Sequence, residues 1–471
     1  MTDTATSGGL FDRTIRRIGS LWRDRVATQP GVPEQSIEQQ MRACLEGRGG
    51  EVSARNRTAG LAQTYLSLDD RGRIDFLHTL AGFDSNPAIV AAAVAAVQAE
   101  TDPAGRAAAT AGLRRALEAP RMRLLSQFSS IPEGIKFLVD MRALLLTKTR
   151  GDKQLAALDS DLRGLLASWF DLGFLDLARI DWSSPAILLE KLVSYEAVHA
   201  IRSWTDLKNR LDSDRRCYAF FHPRMPGEPL IFVEVALVTG LAGSVQALLD
   251  EAAPLLDPQA ADTAIFYSIS NCQRGLAGIS FGNFLIKRVV ELLSAEFRTI
   301  KTFATLSPIP GFRAWLDETI KSGAADLLSA EETAALQAAG SNTTNPVTGS
   351  ETVESGPMVL AAILKKRGWY NKPELLAAVE PALIRLCASY LLTAGTGKRA
   401  RDPVAHFHLS NGARVERINP LGDTSDKGSK ESATLMVNYL YDLQKIEDWH
   451  EDYAGEGKRN AAVAVRRLAR G

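Results

Sequence analysis

Apolar and polar residues follow two different periods along the chain, and the change of period divides it into two halves. Between about residues 33 and 177, apolar residues recur every three or four positions, which predicts amphipathic helices. No repeat of fixed length links them, so a solenoid is not expected. Pro, Gly or Asp bounds the predicted helices, which are residues 36–45, 57–66, 74–82, 87–100, 104–118, 132–148 and 153–172.

The second half alternates short apolar runs with helical patterns, which indicates a mixed α/β domain. Strands are predicted at residues 217–222, 229–239, 263–270, 302–306 and 436–441, and helices at residues 240–256, 283–297 and 373–391. Residues 229–239 are nearly all apolar, as expected of a central strand. The polar run at 340–356 predicts a loop or linker. We therefore expect a helical domain at residues 1–185 and an α/β domain at residues 186–471.

Residues 263–316 form the pattern of a strand, a helix and a second strand, with chemically useful residues at both joints. Gly275, Gly278 and Gly282 follow the first strand, where the backbone can pass close to a ligand. A parallel crossover places such a turn at a helix N-terminus, whose N–H groups and dipole favour phosphate. The turn is neither G-x-x-x-x-G-K-[ST] nor G-x-G-x-x-G, so neither nucleotide motif is present.

The same turn resembles the pyrophosphate cradle of GNAT-type acyl-CoA enzymes. Gln273-Arg274-Gly275 fits that pattern, whereas Leu276 occupies a position where a glycine is expected. Close packing of the backbone is the alternative use of these glycines.

Ser307 lies at the second joint, at the carboxyl end of a predicted parallel strand, where open α/β sheets bind their ligands. Pro308 biases Ser307 away from the helical region, and Pro310 stiffens the turn that follows. A serine that satisfies its own turn backbone is the alternative interpretation.

Residues 406–418 carry the pattern of a β-hairpin. Asn411-Gly412 is typical of a type I′ turn, and the period of two places His406 and His408 on one strand face. Two such histidines could bind a metal, but no third ligand stands out nearby, so no metal is expected. We interpret one histidine as an acid–base residue and the other as structural.

Length, charge and cysteine content narrow the class of protein. With 471 residues the chain exceeds one hydrophobic core, and its formal net charge of +0 gives no field that would attract nucleic acid or an anionic membrane. No window approaches the ~20 apolar residues of a membrane span. Residues 1–24 lack the apolar core of a secretory signal. Their basic amphipathic pattern would fit a transit peptide or a membrane-surface helix, but Asp3, Asp12 and Asp24 favour a plain surface helix. The cysteines form no CxxC pair, which fits a reducing cytoplasm; they are Cys44, Cys217, Cys272 and Cys387.

Five motifs in one order carry a family resemblance. They are HPRMPGEPLIFVEVAL (222–237), AIFYSISNCQRGLAGISFGNFLIKRVV (264–290), TLSPIPGFRAWL (305–316), PVAHFHLSNGARVERIN (403–419) and MVNYLY (436–441). Together they resemble the malonyl-CoA decarboxylase family across most of residues 190–445. The resemblance implies a GNAT-like catalytic domain after the N-terminal helical domain, with CoA held at the glycine-rich turn. It also implies a homo-oligomer, a dimer or tetramer, built through the helical domain.

The resemblance assigns roles residue by residue. Ser307 of S-P-I-P-G and His408 of F-H-L-x-N-G match the family's catalytic pair, and Tyr441 matches a supporting active-site residue. His406 falls at a position of asparagine in relatives, which favours His408 as the working histidine. The implied CoA-binding residues are Gln273, Arg274, Gly275, Leu276, Ala277, Gly278 and Ser280. Ser280 replaces a glutamate of many family members, which leaves open whether an acid acts there.

The expected function is decarboxylation of malonyl-CoA to acetyl-CoA and CO₂ in the cytoplasm, within fatty acid metabolism. The thioester carbonyl can itself accept the electrons of the broken bond, so no pyridoxal, biotin or metal cofactor is expected. No nucleic acid or membrane partner is expected. Two alternatives stay open, a GNAT-type acyltransferase that needs an acceptor and a non-catalytic acyl-CoA-binding protein.

Overall fold

The tertiary structure is a computed structural model, which describes residues 35–46, 50–170, 172–279, 285–324, 327–341 and 355–470. Helices follow one another up to residue 169, as the helical period predicts. They are α1 (Ile37–Leu45), α2 (Glu51–Ser67), α3 (Asp70–Gly82), α4 (Pro87–Ala99), α5 (Pro103–Leu117), α6 (Pro120–Phe128), α7 (Gly134–Leu145) and α8 (Lys153–Trp169). Asp, Asn or Ser side chains cap five of their N-termini, as at Ser36, Asp69, Asn86, Asp102 and Asp152.

The remainder mixes strands and helices. The strands are β1 (Asp176–Ile180), β2 (Arg215–Phe221), β3 (Pro229–Val238), β4 (Thr263–Asn271), β5 (Thr302–Thr305), β6 (Ser307–Pro308), β7 (Gly395–Thr396), β8 (Arg399–Ala400), β9 (Arg414–Asn419) and β10 (Met436–Tyr441). The helices are α9 (Ala186–Tyr195), α10 (Trp204–Arg210), α11 (Val245–Leu248), α12 (Leu285–Glu296), α13 (Phe312–Lys321), α14 (Ala330–Ser341), α15 (Gly356–Lys365), α16 (Pro373–Thr393), α17 (Pro403–Ser410), α18 (Asp426–Ser432), α19 (Ile446–Glu451) and α20 (Val463–Leu468). The predicted fold class, a helical region followed by a mixed α/β domain, is confirmed.

One large sheet runs in the order β1-β2-β3-β4-β5-β10-β6, with β9 on the other side of β10. The β4–β5 pair is parallel and joined through α12, so the predicted strand–helix–strand unit is confirmed. The remaining pairs of this sheet are antiparallel. Strand β10, near the end of the chain, therefore lies directly beside that unit.

The helical region packs directly on the α/β region. One continuous core cluster includes Leu138 and Val139 of α7 together with Leu276 and Val289 of the α/β region. The two halves therefore share apolar surface, and helix α7 contacts the turn that follows β4. The boundary expected near residue 185 stays a prediction.

Several expectations fail or fall outside the structure. The helix expected at residues 240–256 is reduced to the four residues of α11, because Gly240 (φ +71°) ends β3 and Pro254 interrupts the apolar run. The N-terminal pattern at residues 1–24, most of the polar run at 340–356 and Ser280 lie outside the described residues.

Two helical stretches are long and apolar enough to span a membrane by length and composition, Asp70–Ala99 and Pro373–Thr393. The expectation that no window comes near this limit is therefore wrong. The first stretch is two 13-residue helices separated at residues 83–86, each shorter than a bilayer core of ~30 Å. The second has half of its apolar window buried. Core helices of globular proteins pass the same test, so these stretches are weak evidence for a membrane.

Candidate active site

Ser307 lies on β6, just past the point where the parallel pairing of β4 with β5 ends. Strands β5 and β6 pair with β10 in a single register, with Ala304 opposite Leu440 and Ser307 opposite Val437. Between them Leu306 donates its N–H to the carbonyl of Phe266 on β4, 3.0 Å away. The register of β4 with β5 ends at Phe266, whereas β4 continues to Asn271 along β3. Ser307 therefore stands at the carboxyl end of a parallel strand, as predicted.

His408 lies on helix α17, so the predicted β-hairpin is wrong. Asp402 caps the helix, with Pro403 at its first position. At the other end Gly412 has φ +77°, while Asn411 is not in the left-handed region. Ala413 N–H donates to the carbonyl of His408 and Gly412 N–H to that of Leu409, which is a Schellman motif. The Asn-Gly pair therefore ends a helix and does not make a type I′ turn.

The helix also separates the two histidines that a strand would have placed together. Two residues apart on a helix, side chains point about 200° from one another. His406 Nδ1 lies 2.8 Å from the hydroxyl of Tyr453. His408 instead enters the site of Ser307. The expectation that both histidines lie on one strand face is therefore wrong, whereas the preference for His408, which rests on the family resemblance, stays a prediction.

The three predicted catalytic side chains form one hydrogen-bonded row. Ser307 Oγ lies 3.0 Å from His408 Nε2, and His408 Nδ1 lies 2.8 Å from the hydroxyl of Tyr441. Ser307 Oγ donates to Thr305 Oγ1 at 2.8 Å. Because Ser307 has one proton, its oxygen accepts from the Nε2–H of His408, whose Nδ1 then accepts from Tyr441.

Burial makes this row electrically neutral. Desolvation alone lowers the pKa of His408 to about 3, so its imidazole is uncharged at neutral pH. Burial likewise raises the pKa of Tyr441 well above its ordinary value, which keeps its hydroxyl protonated. Ser307, His408 and Tyr441 are all buried. The site therefore offers uncharged donors in a dry environment.

Two neighbouring residues shape the site without having been predicted to do so. The ring of Tyr439 stacks on that of His408, with centroids 4.5 Å apart and planes at 25°. Thr305 Oγ1 accepts from the N–H of Tyr439 as well as from Ser307. Tyr439 thus contacts His408 on helix α17 and Thr305 on strand β5, both far from it in sequence, so no local pattern could have revealed these contacts.

The glycines of the turn after β4 have different roles. A Cβ at Gly275 would lie 1.8 Å from the carbonyl oxygen of Val139, so α7 packs directly on this residue. Gly278 has φ +75°, and a Cβ built on it would meet nothing within 4 Å. Gly275 therefore serves close packing, whereas Gly278 leaves room for a ligand to approach the backbone. Gly282 and Ser280 lie outside the described residues.

Arg142 of α7 holds this turn from below, a contact that sequence analysis missed. Arg142 is 1% exposed, and its guanidinium donates to the carbonyls of Gly275 at 2.6 Å and Ala277 at 2.9 Å. Asp159 of α8 accepts from its Nε at 2.8 Å. Because the guanidinium of Arg142 binds both carbonyls, the orientation of these carbonyls and of the adjoining peptides is fixed.

The other predicted CoA-binding residues divide by exposure. Gln273 and Leu276 are buried, and the Gln273 amide donates to the carbonyl of Pro229 at 2.9 Å. Their side chains therefore serve the fold, and only their backbone could face a ligand. Arg274 and Ala277 are exposed. CoA binding by this turn stays a prediction.

Among the residues that the structure describes, no group of three or more His, Cys, Asp or Glu side chains is placed to hold an ion. The described residues therefore give no support for a metal site.

Comparisons with known proteins agree on one family. Residues 83–170 match the model of the malonyl-CoA decarboxylase N-terminal domain, and residues 173–471 match that of the C-terminal domain. Mitochondrial malonyl-CoA decarboxylase of goose (Anser anser anser) is 38% identical over 358 residues, covering 74% of this chain and 69% of the relative. The mouse (Mus musculus) enzyme is 38% identical over 365 residues, covering 75% and 72%.

Solved structures give the same result. The crystal structure of malonyl-CoA decarboxylase from Rhodopseudomonas palustris is 41% identical with a TM-score of 0.80, covering 92% of this chain and 98% of that one. The Agrobacterium vitis structure is 40% identical with a TM-score of 0.81, covering 92% and 99%. The match extends over both the helical and the α/β regions. This chain belongs to the malonyl-CoA decarboxylase family.

Proposed function

We propose that this protein decarboxylates malonyl-CoA to acetyl-CoA and CO₂ at the row formed by Ser307, His408 and Tyr441. The observation that carries the proposal is the 3.0 Å approach of Ser307 Oγ to His408 Nε2, from segments 101 residues apart in the chain. The relatives named malonyl-CoA decarboxylase support the substrate.

The reaction breaks the bond between the carboxyl carbon and Cα. The electron pair moves into the thioester carbonyl, which becomes an enolate, and CO₂ leaves. A proton then adds to Cα, so one proton is consumed for each acetyl-CoA formed. Charge is dispersed along this path, and a cation bound to the carboxylate would stabilise the ground state most. Among the described residues, burial is the cause that lowers the pKa of His408, and a site of this kind suits such a reaction.

His408 supplies the proton as a neutral imidazole. Its Nε2–H moves to Cα while Nδ1 takes the hydroxyl proton of Tyr441, which solvent later replaces. Ser307 Oγ orients the thioester. Where Nε2 is too far from Cα for direct transfer, Ser307 gives its hydroxyl proton to Cα and accepts the Nε2–H of His408 in exchange. Proton delivery by a positioned imidazole contributes ~10²–10⁴-fold. Oriented donors at the enolate oxygen contribute ~3–4 kcal/mol each.

CoA lies along the turn after β4, with its phosphates at the backbone near Gly278. The open space around Gly278 and the exposure of Arg274 support this placement. The chemistry requires no prosthetic group or metal, because the thioester is its own electron acceptor. Malonyl-CoA and acetyl-CoA are then the small-molecule partners, and neither nucleic acid nor a membrane takes part.

One assay separates this function from its alternatives. The purified protein is incubated with malonyl-CoA, EDTA and no acceptor, and CO₂ and acetyl-CoA are measured. An acyltransferase of the same fold would require an added amine, and a non-catalytic binding protein would yield neither product. Either result would refute the proposal.

Two histidine variants assign the chemistry. His408→Ala is expected to abolish most turnover while CoA affinity is retained. His406→Gln, on the same helix but facing Tyr453, is the matched control and should keep native turnover. A large loss of CoA affinity in His408→Ala would reassign His408 to binding.

The protein forms a homo-oligomer, a dimer or tetramer, through its helical region. Helices α4 and α5 pack against each other, and neither helix contains a buried residue. Ile89 is 57% exposed and Leu117 is 54% exposed. Uncovered apolar residues on a helical pair favour a protein contact. Light scattering should report the oligomer for the native protein and a smaller species for Ile89→Glu. A monomeric native protein would exclude this assembly.

A cytoplasmic location and a role in fatty acid metabolism complete the proposal. All four cysteines are free and buried, as a reducing compartment allows. The goose and mouse relatives are named mitochondrial, so fractionation of the source cells decides between the two compartments.

A further inference from the structure

Two segments carry the catalytic pair, and a single buried carboxylate joins them. Asp402 precedes helix α17, which carries His408, and it is 1% exposed. Its Oδ1 accepts from the N–H groups of Val404 and Ala405, each at 2.9 Å. These bonds cap the helix.

The second carboxylate oxygen of Asp402, Oδ2, accepts hydrogen bonds that capping of α17 does not require. Oδ2 accepts from the N–H of Gly311 at 3.2 Å, the last residue of the S-P-I-P-G segment that begins with Ser307. It also accepts from the hydroxyl of Tyr390 at 3.3 Å. Gly311 is itself the N-cap residue of α13. The N-termini of two helices therefore meet at one carboxylate.

The choice of a carboxylate at this position supports a role beyond capping. Asparagine caps helices as well as aspartate and costs less to bury, because it carries no charge. In the described part of the chain no ion pair compensates the charge of Asp402, and burial raises its pKa. Only a carboxylate accepts hydrogen bonds on both oxygens, and here both oxygens face donors.

We infer that Asp402 is a positioning residue, which fixes the separation of Ser307 and His408 by binding the backbone of both segments at once. This inference rests on the proposed function for its effect on turnover. Ser307 can shift only with the rigid Pro308–Pro310 turn that ends at Gly311. Holding Gly311 against the N-terminus of α17 therefore holds the serine against the histidine.

Asp402→Asn tests the inference because it keeps one half of the contact and breaks the other. The amide oxygen can still cap α17. The NH₂ group, however, faces the N–H of Gly311, so two hydrogen-bond donors meet there without an acceptor. We expect kcat to fall at least tenfold, with KM for malonyl-CoA within twofold of native. A crystal structure of the variant should place Ser307 Oγ and His408 Nε2 beyond hydrogen-bond distance.

Asp152→Asn is the matched control. Asp152 caps α8 through the same pair of contacts, to the N–H groups of Gln154 and Leu155 at 3.0 Å each, and lies outside the site. Its kcat and KM should stay native. A fall of less than tenfold in kcat for Asp402→Asn, or an unchanged Ser307–His408 distance, would overturn the inference. Since the distance is read without turnover, it also separates this failure from a failure of the proposed reaction.

A second pair of variants applies if Asp402→Asn does not fold. A Cβ at Gly311 would lie 2.3 Å from the hydroxyl of Tyr390 and 3.4 Å from Asp402 Oδ2. Gly311→Ala should therefore push the turn away and lower kcat at least tenfold. Adding Tyr390→Phe removes the clashing hydroxyl and should recover most of that loss. A single variant of near-native kcat, or a double variant without recovery, would refute the inference.

Discussion

The hydroxyl of Tyr441 lies 2.8 Å from Nδ1 of His408, the position that a carboxylate occupies in a serine–histidine–aspartate triad. A carboxylate would stabilise the imidazolium and hold a proton on Nδ1. A buried phenol does neither, and burial keeps both Tyr441 and His408 uncharged. The pair therefore suits the proposed transfer of a proton to carbon better than it suits activation of Ser307 as a nucleophile.

Tyr441→Phe should lower kcat about 10- to 100-fold with little change in KM, because Nδ1 loses the proton that it receives during transfer. The measurement is the steady-state rate of acetyl-CoA formation. Tyr453→Phe, which removes the hydroxyl beside His406, is the control and should stay near native. A native kcat for Tyr441→Phe would exclude Tyr441 from the proton path.

Stability should fall as the solution is acidified, and His408 should contribute. Burial lowers the pKa of folded His408 to about 3, whereas the unfolded chain titrates near 6.5, so between these values the unfolded state binds more protons. The contribution of His408 to the free energy of unfolding is complete above about pH 6.5. It is lost as the pH falls towards 3, at up to about 1.4 kcal/mol per pH unit.

Replacing the histidine tests this slope. His408→Gln should flatten the dependence of the free energy of unfolding on pH between about 6 and 4, measured by urea denaturation. His199→Gln should flatten the same range without reducing turnover, because burial lowers the pKa of His199 to about 4 at a position outside the catalytic row. An unchanged slope in His408→Gln would show that this histidine is not desolvated in solution.

Arg142→Met should raise KM for malonyl-CoA about tenfold and leave kcat within twofold. The substitution releases the carbonyls of Gly275 and Ala277, so the turn proposed to hold CoA loses its fixed orientation. Titration calorimetry with CoA gives an independent affinity. Arg121→Met is the control, since Arg121 is a buried arginine bonded to Asp161 and Ala81. Equal KM values for the two variants would contradict the role of Arg142.

Gly275→Ala and Gly278→Ala should have unequal effects on stability. At Gly275 the added methyl meets the carbonyl of Val139 at 1.8 Å, so the free energy of unfolding should fall by about 2 kcal/mol or more. At Gly278 the space is open and only the positive φ opposes the change, at a cost of about 1 kcal/mol. Chemical denaturation ranks the two, and the reverse order would refute the packing of α7 on this turn.

Local patterns were sufficient for much of the fold and misleading at one important place. The order of helical and strand periods predicted the β4–α12–β5 unit, because each element of that unit shows its period within its own residues. His406 to Leu409 alternates polar and apolar residues, which resembles a strand over so short a run. The stronger signals were Asp402-Pro403, which start a helix, and Gly412, which ends one.

The sequence by itself predicted the residues of the candidate site, because Ser307, His408 and Tyr441 lie in motifs that can be recognised from the amino-acid sequence alone. Only the tertiary structure decided how they meet. Strand β10 pairs with β5 and β6 from 128 or more residues away in the chain, and Arg142 reaches the glycine turn across 133 residues. Contacts of this kind depend on how sheets and helices pack in three dimensions. No period or local propensity records them.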